Sequence, residues 1–206
     1  MKRALALLAV PALAISLAAC GDNGSDDAKG PMSGHSMPAS ASPSNGGSQA
    51  QHNDQDVMFA QMMIPHHRQA VEMADLAATR AASPEVKQLA AEIKKAQDPE
   101  IKQMSAWLTG WGASVPSPGT GGMGHMGHGG MDGMMTDKEM KELEGAKGAA
   151  FDKAFLEMMI KHHEGAVAMA RTEQASGRSP EAKKMAADIV ASQSAEITKM
   201  QKLLKQ

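Results

Sequence analysis

The 206-residue sequence has one cysteine, no tyrosine, three phenylalanines and two tryptophans. The single Cys20 excludes an intramolecular disulfide, and the chain beyond it has no thiolate with which to bind a metal or attack a substrate. The aromatic content of 2% leaves few platforms on which bases could stack, and basic residues alternate with acidic ones along the chain. These shortages disfavour nucleic-acid binding and cysteine chemistry.

Motifs of several enzyme classes are also missing. A carboxylate-bridged di-iron centre requires Glu-x-x-His on two helices, and this pattern does not occur in the sequence. There is no serine nucleophile elbow, and the glycines of the central segment lack the helix start of a phosphate-binding loop. We therefore expect a protein that is not an enzyme.

The N-terminus has the pattern of an export signal. Lys2 and Arg3 precede an apolar run that ends in "LAAC" at Cys20. This order of charged, hydrophobic and small residues is that of a secretory signal. The apolar run is too short to span a membrane. It resembles a bacterial lipoprotein signal, in which the cysteine becomes the lipidated first residue; an ordinary signal with an incidental cysteine is the alternative. We expect a signal at residues 1–19 and a lipid anchor at Cys20, on the outer face of the cell membrane or the periplasmic side of the envelope.

Two segments rich in small and polar residues divide the rest of the chain. Residues 20–53 contain mostly Gly, Ser, Pro, Asp and Asn, which bury too little surface to offset the entropy of ordering, and are expected to form a disordered tether. A second such segment, residues 112–135, separates blocks 54–111 and 136–206. The domain expected over residues 54–206 therefore has two helical blocks joined by a Met/Gly/His-rich insert.

The two blocks are copies of one another. With a constant shift of 96 residues they align without a gap from Asp56 and Asp152 to Leu108 and Leu204. "MMIPHH" at residues 62–67 aligns with "MMIKHH" at residues 158–163, and "SPE" recurs at residues 83–85 and 179–181. This is an internal duplication.

Each copy is predicted to form a helical hairpin. Apolar residues recur at spacings of three and four, and Ser-Pro at residues 83–84 and 179–180 provides an N-cap followed by proline at the first helical position. Thr136 and Glu139 form a capping box that starts the second copy early. Two hairpins make an all-α antiparallel four-helix bundle with pseudo-twofold symmetry.

The repeated motif places its methionines and histidines in register. At about 100° per residue, Met62, His66 and Met73 fall within roughly 40° of one another, whereas His67 lies near the edge of this stripe. The same relations hold for Met158, His162, Met169 and His163, so the two stripes are expected to face each other. Pro65 is expected to interrupt and bend the first helix just before His66.

Imidazole and thioether groups spaced by four residues suit a soft or borderline metal ion. Without thiolates, the thioethers favour Cu(I), and imidazole also accepts Cu(II). The alternative is structural, since methionine stripes usually fill cores and buried histidines are usually hydrogen-bonded. Gln97 and Gln193 fall within the apolar stripes of their helices, where each either hydrogen-bonds an imidazole across the bundle or fixes helix register.

The insert adds candidate ligands, and we do not expect burial in an apolar core to account for its methionines. "GGMGHMGHGGMDGMM" at residues 121–135 has His125 and His128 in a glycine-rich background, together with Met123, Met126, Met131, Met134 and Met135. Thioethers and imidazoles on a flexible chain can wrap Cu(I) or Ag(I) at modest affinity. Unselected low-complexity sequence is the alternative.

The duplicated stretches "FAQMMIPHHRQAVEMA" and "FLEMMIKHHEGAVAMA" at residues 59–74 and 155–170 resemble the bacterial domain-of-unknown-function family 305. The resemblance covers the chain from about residue 54 onward and implies a ferritin-like four-helix bundle and copper binding, with a link to copper tolerance. Position by position it implicates Met62, Met63, His66, His67, Met73, Met158, Met159, His162, His163 and Met169. The long insert departs from the family pattern and leaves open whether bundle or insert holds the tighter site.

The sequence thus favours an exported, lipid-anchored protein that sequesters or buffers copper, with other copper-handling proteins of the envelope as conceivable partners. The alternative is a helical interaction module of the envelope whose methionines dock another protein and whose histidines are structural.

Overall fold

The computed structural model describes residues 51–117 and 132–206, which form five helices. They are α1 (Asp54–Arg80), α2 (Pro84–Gly110), α3 (Asp137–Gly145), α4 (Ala149–Ser176) and α5 (Pro180–Leu203). The expected signal, Cys20 and the insert ligands Met123, His125, Met126 and His128 lie outside the described residues. The all-α expectation is confirmed, and no helix of the described part combines the length and apolar character that a membrane crossing requires.

The helix starts follow the capping signals of the sequence. The hydroxyl groups of Ser83 and Ser179 accept hydrogen bonds from the first turns of α2 and α5, and a proline follows each of them. Asn53, expected in the tether, instead forms a capping box with Asp56 at the start of α1.

The four long helices of the expected bundle are joined by a short fifth helix at the start of the second copy. Thr136 and Glu139 form the expected capping box, but the helix that they start is the separate nine-residue α3. The chain then turns at Gly148, whose φ of 63° suits a residue without a side chain, and α4 begins at Ala149. The bundle therefore has four long helices and one short one.

The two hairpins, α1–α2 and α4–α5, pack with α1 antiparallel to α4. Asn53 at the start of α1 donates a side-chain hydrogen bond to the carbonyl of Ser176 at the end of α4. Asp56 accepts hydrogen bonds from the backbone N–H groups of Arg178 and Ser179, just before α5. Asp152, the counterpart of Asp56, accepts equivalent bonds from Ala82 and Ser83 before α2. These reciprocal contacts join the hairpins with pseudo-twofold symmetry.

The apolar core is divided into two clusters by polar residues at the middle of the long helices. One cluster includes Met73, Leu89 and Phe155, and the other includes Phe59, Met104 and Ile189. Between them along the chain lie the buried polar residues His66, His67, His162, His163, Gln97 and Gln193. The bundle therefore has a polar layer between its two apolar ends.

Pro65 does not interrupt α1. The helix is continuous from Asp54 to Arg80 with Pro65 inside it, so the expected break is wrong. Proline has no backbone N–H and cannot donate to the preceding turn, but packing of α1 against both α2 and α4 is sufficient to keep the helix continuous.

A carboxyl pair joins α1 and α4 near one end of the bundle. Burial raises the pKa of Glu173 to about 8, and the adjacent Asp56 adds to this effect. Burial alone would raise the pKa of Asp56 too, but hydrogen bonds from Glu173 and from backbone N–H groups hold it below its usual value. The counterpart of Glu173 in the first copy is Ala77, so the pair occurs once.

We expect stability to fall as pH rises through the range in which Glu173 loses its proton. The folded state binds this proton up to a pKa of about 8, whereas the unfolded chain releases it near 4.5, so the loss occurs between these values. Glu173→Gln, which stays neutral, should flatten this decline in urea unfolding measured from pH 5 to pH 9. Glu164→Gln, an exposed change on the same helix, should leave the decline intact. An unchanged slope in Glu173→Gln would contradict the assignment.

Candidate metal centre

The polar layer has a pair of closely packed histidines at its centre. The rings of His66 and His162 lie 3.7 Å apart between centroids, tilted by 43°, and both side chains are fully buried. All four of their ring nitrogens are buried without a hydrogen-bond partner. Unmatched polar atoms in a core cost free energy, and native proteins rarely leave four of them together.

Both histidines of the pair are held neutral. Burial lowers the pKa of His66 to about 3; the neighbouring His67 contributes, and the nearby backbone carbonyl of Asp132 opposes the shift. Burial, followed by the proximity of His66, lowers the pKa of His162 well below its usual range. A neutral imidazole keeps a lone pair on one nitrogen, which metal binding requires.

The second histidine of each motif is paired with a glutamate. The Nε2 atoms of His67 and His163 lie 2.7 Å from carboxylate oxygens of Glu100 and Glu196, respectively. A helical wheel predicts that both histidines lie near the edge of the apolar stripe, but both are fully buried. Their glutamates were not expected in the site, although the recurrence of a glutamate 33 residues after each second histidine was visible in the aligned repeats.

The expected glutamine partners are buried but do not contact the imidazoles through hydrogen bonds. Neither amide atom of Gln97 has a hydrogen-bond partner, nor does the amide oxygen of Gln193. Of the two alternatives for Gln97, the hydrogen bond to an imidazole is not formed. The two side chains add further unmatched polar atoms to the layer.

The candidate methionines divide into buried and half-buried groups. Met63, Met73 and Met159 are fully buried in the apolar clusters that flank the histidines. Met62, Met158 and Met169, expected to share the innermost stripe, are half-buried at its edge. The inner face of α1 is thus centred closer to Met63 and Ala70 than to Met62, because buried residues of α1 extend round to Ala60 and Ile64.

The two ends of the insert dock on the bundle beside the histidine pair. Gln61 and Arg68 of α1 donate hydrogen bonds to the carbonyls of Ser114 and Pro116. The Gln69 amide exchanges two hydrogen bonds, of 2.8 and 2.7 Å, with the backbone of Met135. Met135 itself is buried in the core, which corrects the expectation that burial does not explain the methionines of this segment.

Gly165 provides the space for residues 132–133. A Cβ atom at Gly165 would clash with the carbonyl of Asp132, and one at Gly133 would lie 2.6 Å from the carbonyl oxygen of Lys161. In the aligned repeats Gly165 is the counterpart of Gln69. The same position thus holds the segment through hydrogen bonds in one copy and makes room for it in the other.

The donor types decide what the layer can bind. Within residues 51–117 and 132–206, no three His, Asp or Glu side chains already converge on a metal position. Neutral imidazoles and buried thioethers are available instead, and this combination suits copper or silver better than hard cations, which prefer oxygen ligands.

The chain matches the model of the family described as "Domain of unknown function (DUF305)" over residues 56–204. No curated protein matches it significantly.

Solved structures match the same fold. A DUF305 protein from Streptomyces coelicolor, described as a candidate secreted protein, is 34% identical with a TM-score of 0.66, over 73% of this chain and 92% of that one. A DUF305 fragment from Deinococcus radiodurans is 32% identical with a TM-score of 0.66, over 75% and 98%. CopM in its Cu(II)-bound form is 40% identical with a TM-score of 0.62, over 73% and 95%. CopM has also been solved in Cu(I)-bound and Ag-bound forms.

We expect Gly165→Ala to displace residues 132–135 from the bundle. No rotamer relieves a clash between a Cβ atom and a backbone carbonyl, so the variant loses the Gln69 hydrogen bonds and the burial of Met135. After allowance for the better helix propensity of alanine, it should be destabilised by about 2 kcal/mol. Urea unfolding measures this loss, and faster hydrogen exchange of the Met135 amide should accompany it.

Gly145→Ala is the matched control, because no atom lies within 4 Å of a Cβ at that position. It should be neutral or slightly stabilising. Equal changes in unfolding free energy for the two substitutions would show that the packing of residues 132–135 does not depend on the absence of a side chain at Gly165.

Proposed function

The chain belongs to the DUF305 family, and from this premise we propose that it binds copper through the polar layer of its bundle. The site is built on the closely packed pair His66 and His162, with His67, His163 and the flanking methionines as further donors. The role is to sequester or buffer the ion, with Cu(I) preferred and Cu(II) accepted.

The single observation that carries this proposal is the set of four unpartnered ring nitrogens on His66 and His162. A bundle selected for stability alone is expected to fill this position with apolar side chains, as it does on either side of the layer. A bound metal ion satisfies imidazole lone pairs that the protein leaves unmatched. The cost of the layer in the metal-free protein is then offset when the ion binds.

Copper is the metal that the donors favour. Thioether sulfur is a soft ligand that selects Cu(I), and imidazole binds both copper oxidation states. Met63, Met73 and Met159 provide buried thioethers in the clusters next to the histidines. The similarity to CopM, solved in complex with Cu(I), Cu(II) and Ag, supports the same choice.

The insert is proposed to collect ions for the bundle. Met123, His125, Met126 and His128 offer a second set of soft donors. Both flanks of the insert are attached to α1, the first through Arg68 and the second through the next residue, Gln69. Ligands on a chain attached at these points stay at high local concentration near the histidine pair.

The proposed location is the outer face of the cell membrane or the periplasmic side of the envelope. It follows from the lipoprotein-like signal and Cys20. The candidate secreted protein among the similar structures agrees with export. An exported copper-binding protein of this kind would serve copper tolerance or homeostasis.

We favour a non-catalytic binding role over the two alternatives. Glu72 and Glu164 are exposed on the outer faces of α1 and α4. Glu100 and Glu196 each contact a single histidine, and within the described residues no three His, Asp or Glu side chains converge as the inward glutamates of a di-iron enzyme do. A docking module needs an apolar surface, yet in the described part of the chain only Met58 and Val115 are large hydrophobic residues with exposed side chains.

The double variant His66→Leu and His162→Leu tests the proposal. Replacing unmatched imidazoles by hydrocarbon should leave the metal-free protein as stable as before or more stable by roughly 1–3 kcal/mol. Cu(I) at a hundredfold excess over its Kd should stabilise the unaltered protein by about 2.7 kcal/mol and should not stabilise the variant through this site. Thermal unfolding with and without Cu(I) measures both effects. A destabilised variant that keeps the full copper effect would refute the proposal and indicate structural histidines.

A second prediction separates bundle from insert. Replacing Met123 and Met126 by Leu, and His125 and His128 by Gln, removes four insert donors while keeping chain length. The tighter Cu(I) affinity, measured against a competing chelator, should persist in this variant, whereas the number of weakly bound ions should fall. Loss of all affinity would place the main site in the insert.

A further inference from the structure

The two histidine–glutamate pairs are the part of the site that the proposed function leaves unexplained. Each joins the second histidine of a motif to a glutamate 33 residues later, at 2.7 Å. The histidines are fully buried, whereas Glu100 and Glu196 are 21% and 19% exposed. The glutamates therefore lie at the outer rim of the layer and reach inward to the imidazole rings.

A carboxylate decides which nitrogen of its histidine carries the hydrogen. An ionised glutamate only accepts hydrogen bonds, so the contact at Nε2 requires an N–H on that atom. In a neutral imidazole the lone pair is then on Nδ1. The pairing therefore selects one of the two tautomers.

The Nδ1 atoms of His67 and His163 are buried and have no hydrogen-bond partner. A charged imidazolium would put a second N–H on Nδ1, where no acceptor lies, and a buried donor without an acceptor is costly. The neutral tautomer leaves a lone pair at the same position. A metal ion can satisfy that lone pair, whereas it cannot satisfy an N–H.

The arrangement recurs in both copies although their local sequences differ. Pro65 precedes the first motif's histidines where the second copy has Lys161, and Pro99 precedes Glu100 where the second copy has Ala195. The first histidines of the motifs, His66 and His162, have no such partner. Each copy thus presents one oriented histidine and one free histidine.

We propose that Glu100 and Glu196 are positioning residues that hold the Nε2–H tautomers of His67 and His163, so that the lone pair of each ring lies on the buried Nδ1 and is available to a metal ion. The inference rests on the proposed function, because it names the atoms that complete that site. Carboxylates that orient metal-binding imidazoles in this way also make them better ligands, and removing one typically weakens metal binding by about 10–100-fold.

The first experiment is a long-range ¹H–¹⁵N NMR spectrum of the imidazoles in the purified metal-free protein at pH 8.5. Nε2 of His67 and His163 should show the shift of a protonated ring nitrogen and Nδ1 that of an unprotonated one. Addition of Cu(I), which is diamagnetic, should move the Nδ1 resonances and leave Nε2 protonated. The reverse tautomer, or protons on both nitrogens, at either residue would overturn the inference.

The second experiment uses Glu100→Leu. The spectrum of His67 should change to the other tautomer or to a mixture, while His163, with Glu196 intact, should keep its spectrum as an internal control. Cu(I) affinity should fall by about 10–100-fold. Glu72→Leu removes an exposed carboxylate from α1 and should retain both tautomer and affinity. An equal loss in the two variants would attribute the effect to charge and overturn the inference.

The two proposals fail in different ways. If the unaltered protein binds no Cu(I) although its metal-free spectrum shows the Nε2–H tautomers, the proposed function is refuted and the inference falls with it. If the protein binds Cu(I) but the spectrum shows Nδ1–H, only the positioning role is refuted. Should Glu100→Leu fail to fold, the spectrum of the unaltered protein still decides.

Discussion

The rest of the structure depends on the burial of four imidazole rings at the middle of the bundle, between two apolar clusters. Six of their eight ring nitrogens have no hydrogen-bond partner, and two glutamates occupy the other two. Such a layer weakens a core, so the apolar clusters on either side must supply the stability. The fold thus keeps chemically available groups inside a rigid frame. This rigidity fixes their positions, which a flexible loop with the same residues would not do.

The two copies are symmetric in the contacts that join the hairpins and in the positions of the motif histidines. They differ in residues close to the histidine layer. Asp56 and Asp152 cap opposite hairpins in the same way, and the motif histidines occupy matching positions. Gln69 and Gly165, however, are aligned residues that hold the same segment by different means. Residues 132–135 contact α1 at Gln69 and α4 at Gly165, so this one segment meets a hydrogen-bonding side chain on one helix and a space without a side chain on the other. The two copies therefore differ where a single segment packs against both.

The methionines illustrate how one residue type serves two purposes. Met73, Met135 and Met159 fill the core, where an unbranched side chain packs well in irregular gaps. The methionines next to the histidine layer also place a thioether sulfur, a soft metal ligand, among apolar side chains that cannot bind a metal. A buried thioether needs no hydrogen bond, whereas a buried imidazole or carboxylate without a partner is costly, so in the proposed copper site methionine would supply a ligand at little cost to the metal-free fold.

The sequence by itself determined the helices, the duplication and the family, because these depend on periodicity, on capping residues such as Ser83 and Ser179, and on a repeated motif. It also identified the pairing of the two copies, since twofold symmetry brings matching motifs together. Only the tertiary structure decided that His67 and His163 are buried, that Glu100 and Glu196 contact them, and that Met135 belongs to the core. The reason is physical: a helical wheel gives the angles between side chains on one helix, whereas the direction of the core and the contacts between residues distant in sequence arise only when several helices pack together.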